Sequence, residues 1–79
     1  MRHTSEIVDG GNSLYYVIRR DGVEIGRSYA GSWDDDLGDQ DWEEHEINEA
    51  EARSRMGDAY YDWAIANGQS VRYDKALPA

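Results

Sequence analysis

The chain contains no cysteine. Disulfides, thiolate metal sites and a cysteine nucleophile are therefore excluded, which is compatible with an intracellular, reducing compartment. Long apolar runs are also missing. No stretch approaches the roughly 20 residues that a helix needs to cross a bilayer, and Met1-Arg2-His3-Thr4-Ser5-Glu6 lacks the apolar core of a secretory signal, so a soluble, unprocessed protein is expected. Positive charge is scarce too. Eight basic residues, of which only Lys75 is a lysine, face seventeen Asp and Glu, for a net charge of −9. Such a field opposes encounter with nucleic acid or an anionic membrane, and leaves a basic protein or nucleoprotein as the expected partner. The glycines show no phosphate-cradling spacing followed by Lys-Ser or Lys-Thr, and no serine has a histidine in a nucleophile setting. Neither catalysis nor a bound cofactor is expected.

What is present suffices to fold. Three Trp and six Tyr supply large apolar surfaces that a disordered acidic tail lacks. Seventy-nine residues make a single domain, 1–79, which buries only about 60% of its unfolded surface. The pattern predicts an α+β fold, with a small antiparallel β-sheet (hairpin 13–29 plus short strands) packed against one main α-helix over about 49–67. The hairpin rests on two alternating runs flanking Asp21-Gly22, a pair suited to the positive φ angles of a two-residue type I′ turn. Closing there places Leu14, Tyr16 and Ile18 on a core face with Val23, Ile25 and Tyr29. Tyr15, Val17 and Arg19 then share the other face with Glu24 and Ser28. Glu6 to Val8, ahead of Asp9-Gly10-Gly11-Asn12, reads as a short strand entering a turn, and Ser70 to Asp74 as a last strand.

The helix is marked at both ends. Asn48 is its N-cap with Glu51 as capping-box partner, Ile47 and Ala52 are placed for a hydrophobic staple, and Gly68 is the stop. Helical periodicity gathers Ala52, Met56, Ala59, Tyr60, Trp63 and Ala66 into one apolar stripe, opposite Glu51, Arg55, Asp58 and Asp62. Tyr61 and Ile65 turn away from that stripe and are candidate contact residues. Glu49 with Arg53 and Glu51 with Arg55 form i,i+4 pairs, each contributing ~0.2–0.5 kcal/mol to an isolated helix. The stretch before the helix reads as an acidic loop with a strand from Trp42 to Ile47, and the alternative is a helix beginning at Asp41 with Glu44 as its capping-box partner; the later helix start is preferred because Ile47 would otherwise turn to solvent.

Ten of the seventeen acids fall between Asp34 and Glu51, with no Lys or Arg among them. Carboxylates so close repel one another, and folding alone gives no reason to gather them. They do not form an EF-hand: counting from Asp34, the positions that require an oxygen ligand, a glycine and a bidentate glutamate hold Gly38, Asp39 and His45. His3 and His45 lack the companions a zinc site needs. No metal site is therefore expected. A dense row of carboxylates does reproduce the charge of duplex DNA, one negative charge about every 1.7 Å along its axis. The expected binding residues are Asp34, Asp35, Asp36, Asp39, Asp41, Glu43, Glu44 and Glu46, with Trp33 and Trp42 as short-range anchors.

This acidic cluster, the small hairpin-plus-helix scaffold and the absence of cysteine resemble the small acidic inhibitors encoded by phages and mobile elements, particularly anti-CRISPR proteins and anti-restriction DNA mimics. The resemblance lies in charge and architecture, rests on Asp34-Asp35-Asp36, Asp39, Asp41, Glu43, Glu44 and Glu46, and transfers no diagnostic residue. It implies a protein of the bacterial host cytoplasm that binds a CRISPR effector complex and blocks its access to target DNA. The competing expectation is an adaptor or housekeeping domain of an acidic or halophilic proteome, whose charge provides solubility.

If Asp21-Gly22 closes the hairpin, Gly22→Val places a β-branched residue at positive φ and lowers the thermal midpoint. An unchanged melting curve would remove that turn assignment.

Overall fold

The computed structural model describes residues 1–34, 42–72 and 76–77. They form an α+β fold in which strands β1 (His3–Asp9), β2 (Leu14–Arg20) and β3 (Val23–Gly31) are followed by β4 (His45–Ile47). Helices α1 (Glu49–Met56) and α2 (Asp58–Asn67) and strand β5 (Val71–Arg72) complete the order. The sheet runs β4-β1-β2-β3-β5. The pairings of β1 with β2, β1 with β4 and β2 with β3 are antiparallel, while β5 lies parallel to β3, with Val71 opposite Gly26. Both helices cover one face of the sheet.

The expected turn is present: Asp21 has φ 52 and Gly22 φ 83, and Asp21 is the only non-glycine with positive φ among the described residues. Its Oδ1 also accepts from the Arg2 backbone N–H at 2.9 Å, tying the N-terminus to the hairpin. The simple alternation expected beyond the turn does not persist. Arg19 pairs with Glu24 but Ile18 with Gly26, so Ile25 is an extra, bulged residue in β3. From there on the faces exchange. Tyr29 lies opposite Tyr15 and Ser28 opposite Tyr16, so Tyr29 is exposed and Ser28 buried, the reverse of the sequence expectation. Val23, next to the turn, is exposed as well.

The helical region also differs from the single helix expected over about 49–67. Asn48 caps it as predicted, its Oδ1 accepting from the Glu51 N–H at 2.7 Å, and Gly68 ends it in the left-handed conformation with its N–H on the Ala64 carbonyl. Between these, Gly57 has φ 92 and ψ 135, its N–H closes α1 on the Arg53 carbonyl, and a second helix starts. Helical phase cannot be projected across such a break. Ala52 and Met56 are buried as the stripe requires, but in α2 the buried residues are Tyr61 and Ala64, while Ala59 and Ala66 are exposed. Tyr61 and Ile65 are thus core residues, not outward contacts: Tyr61 belongs to the buried cluster and Ile65 packs against it.

That cluster joins Ile18, Ile25, Ile47, Ala52, Met56, Tyr61, Ala64 and Val71, with Tyr16 and Trp63 partly buried at its margin. Leu14, expected to meet the helix, is fully buried outside it. The bare backbone of Gly26 leaves room for the end of the Met56 side chain, since a Cβ there would overlap the Met56 Cε and approach the Val71 carbonyl oxygen at 3.3 Å. On the opposite face no described helix covers the sheet, yet Val17 is fully buried. It sits in register between Glu6 and Arg27, where the aliphatic stems of long polar side chains can shield it.

A Cβ at Gly57 would meet the Tyr60 ring only at an ordinary 3.6 Å, so the cost of replacing Gly57 is conformational. Gly57→Ala is expected to destabilise by about 1–3 kcal/mol, because an L-residue rarely adopts that backbone conformation. Urea denaturation checks this, and an equal or higher midpoint would show that the interruption of the helix is not required.

Candidate protein-interaction surface

Trp33 and Trp42 stand at the two ends of the segment 34–41, and the fold brings them together. Their ring centroids are 6.0 Å apart with the planes at 31°, within the usual range for interacting aromatic pairs. The Trp33 Nε1–H donates to the Gly11 carbonyl at 3.2 Å. Gly11 itself is held in the β1–β2 turn with φ 97, its N–H donating to Asp9 Oδ1 at 2.8 Å. The turn between the first two strands thereby anchors the indole pair. Trp33 and Trp42 nevertheless remain 53% and 40% exposed.

The predicted carboxylates divide into groups. Asp35, Asp36, Asp39 and Asp41 lie outside the described residues. Asp34 and Glu43, each next to one of the indoles in sequence, are exposed and make no ion pair among the described residues. Glu44 and Glu46 are engaged with the body of the protein. Glu44 meets Arg19 at 2.8 Å, and the same guanidinium holds Glu6 at 2.6 Å. The hydrogen bond that Arg19 donates to Glu6 raises the Arg19 pKa above its ordinary value; partial burial opposes this, and the charges of Glu6 and Glu44 reinforce it. Glu46 pairs with Arg2 at 3.3 Å where both are well exposed, an arrangement of little energetic value.

The acids of the helices are neutralised at short range. Arg53 reaches Glu49 at 3.2 Å, Asp58 at 3.4 Å and Asp62 at 2.9 Å, and Arg55 reaches Glu51 at 3.9 Å. Across the sheet, burial pushes the Glu24 carboxyl up, but hydrogen bonds from Ser70 and Arg27 and the charges of Arg27 and Arg19 overcome it and leave the group below its usual range. The unneutralised acids among the described residues 33–47 are therefore those beside the indoles.

Chemistry of other kinds finds less support. Among the described residues no group of three His, Cys, Asp or Glu side chains could hold a metal ion. His45 donates from Nδ1 to the Glu43 carbonyl at 3.0 Å. The buried polar pair was not anticipated from sequence: His3 and Tyr61, each 3% exposed, meet through Nε2 and the phenol oxygen at 2.7 Å. Alternation of His3, Ser5 and Ile7 was the available sign that β1 begins this early, and the phase change at Gly57 concealed its partner. The Arg53 guanidinium lies 4.3 Å over the Tyr61 ring. Burial, with the charge of Glu49, raises the Tyr61 pKa despite the opposing charges of Arg20 and Arg53. The chain matches no family model, no curated protein and no solved structure.

Tyr61→Phe removes the partner of a buried imidazole nitrogen and is expected to destabilise by about 1–3 kcal/mol at neutral pH. Because the folded state holds the phenol proton more tightly than the unfolded state, the contribution of Tyr61 is complete below the ordinary value of 10.0. It is lost as pH rises through the higher folded value. Chemical denaturation across alkaline pH should show a shallower decline for Tyr61→Phe than for the parent, and parallel curves would count against it.

Proposed function

We propose that this protein is an acidic inhibitor that occupies a basic nucleic-acid-binding surface and blocks target DNA binding, with CRISPR effector complexes the target class favoured by resemblance. One observation carries the reading. Arginines neutralise the carboxylates of the helices at short range, whereas the densest acidic run contains no basic residue and is bracketed by two exposed indoles. Charge that served solubility alone would need neither the concentration nor the paired aromatics.

The mechanism is steric and electrostatic, with no covalent step. Carboxylates of the segment take the places of DNA phosphates opposite Lys and Arg of the groove, and the long-range field steers the encounter. Residence then depends on short-range contacts at the centre of the interface, where Trp33 and Trp42 would anchor the complex.

The test is competition with labelled target duplex for purified effector complexes, with association rates measured at two ionic strengths. Changing Asp34, Asp35, Asp36 and Asp39 to Asn should slow association roughly tenfold at low salt and flatten its salt dependence. A control of equal charge changes Glu49 and Glu51 to Gln and Asp58 and Asp62 to Asn. Equal losses from the two variants would reduce the effect to net charge and favour the solubility reading. Failure of the parent protein to displace DNA from any effector would remove the inhibitor reading.

A further inference from the structure

We propose that the Trp33–Trp42 pair is an arginine-reading site. A guanidinium from a loop or tail of the protein partner would stack on the exposed indole surface while Asp34 and Glu43 accept its N–H donors. This deepens the reading above by naming the partner chemistry at that site, and it rests on the partner being a basic protein.

The Trp33 N–H is already satisfied by the Gly11 carbonyl, so this ring has no donor left to offer and presents its π surface. The neighbouring indole lies at 6.0 Å and 31°, giving a tilted aromatic platform that is 53% and 40% exposed at its two members. Aromatic faces attract cations, indole most strongly. Asp34 and Glu43 flank the platform in sequence, exposed and without ion pairs among the described residues, and so complement a positive occupant.

The protein uses the same three-part arrangement twice within itself. Arg53 lies 4.3 Å over Tyr61 while bonding Glu49 and Asp62. Arg55 lies 4.4 Å over Tyr16 with Glu51 within 3.9 Å. At Trp33 and Trp42 the aromatic surface and the carboxylates recur, and no arginine among the described residues lies over either indole. Arginine is the better occupant than lysine, because a planar, weakly hydrated guanidinium stacks on a ring and presents a fork of donors to carboxylate, whereas an ammonium is a strongly hydrated point charge. Nucleic acid is disfavoured by the net charge of −9.

The experiment titrates the full chain with two peptides of identical length and charge, one with six arginines and one with six lysines, and reads binding by calorimetry. The parent protein should bind the arginine peptide about tenfold more tightly. Trp33→Ala with Trp42→Ala should abolish that ratio while leaving the lysine peptide nearly unaffected, and Asp34→Asn with Glu43→Gln should weaken both peptides. Trp33→Phe with Trp42→Phe, which keeps aromatic faces, should retain a reduced preference and guards against a variant that fails to fold. Equal affinities for the two peptides in the parent, or an arginine preference that survives loss of both indoles, would overturn the proposal. So would a dimer of the parent that dissociates in the Trp33→Ala, Trp42→Ala variant, since the platform would then serve a second copy. These outcomes are separable from those for the inhibitor reading. DNA displacement without arginine preference leaves a purely charge-driven inhibitor, and arginine preference without DNA displacement leaves the site with a different basic partner.

Discussion

The register shift at Ile25 is the constraint on which the helical layer depends. An unbroken β3 would present one side chain to the helices at every second position. The extra residue turns Ile25 inward, next to the bare backbone of Gly26, so that a bulky side chain and a gap adjoin on the same face. Met56 enters the gap at the end of α1, and Ile25 fills the space beside it in the common core. Interiors are packed as densely as organic crystals, so the last side chain of α1 is fitted to this local irregularity, while the helix itself is closed by the Gly57 N–H on the Arg53 carbonyl. The chain must then change direction at Gly57 for α2 to continue over the edge formed by β3 and β5.

Much of this was legible in the sequence because the signals were local. Asp21-Gly22 specified a turn through the φ angles of two adjacent residues, Asn48 and Gly68 marked helix ends through bonds spanning three or four residues, and the need to bury Ile47 spoke against a helix starting at Asp41. The break at Gly57 was not legible, since a glycine within a helical pattern costs only about 1 kcal/mol and a continuous helix could absorb it. Once missed, it carried Tyr61 and Ile65 to the wrong face and Ala59 and Ala66 to the core. The bulge at Ile25 was hidden for a similar reason. Alternation reports periodicity, and one inserted residue inverts every later assignment without leaving a mark of its own.

For the candidate surface, composition identified the acidic run and its flanking tryptophans, but the pairing of Trp33 with Trp42 and its attachment to Gly11 depend on positions far apart in the chain. Which carboxylates are engaged is also a tertiary property. Glu44 reaches an arginine on β2 and Glu46 one ahead of β1, whereas Glu43, adjacent to Glu44, makes no such pair among the described residues.

The parallel strand β5 has a consequence for the order of assembly. The first three strands connect through tight turns and can zip together from neighbouring residues, but Val71 reaches Gly26 only after both helices have been laid down. Closing so long a loop for a two-residue strand gives little return until Val71 is buried with α2. The contacts of the three-stranded meander thus cost the least loop entropy, whereas the hold of β5 on the sheet depends on the packing of α2 beside it.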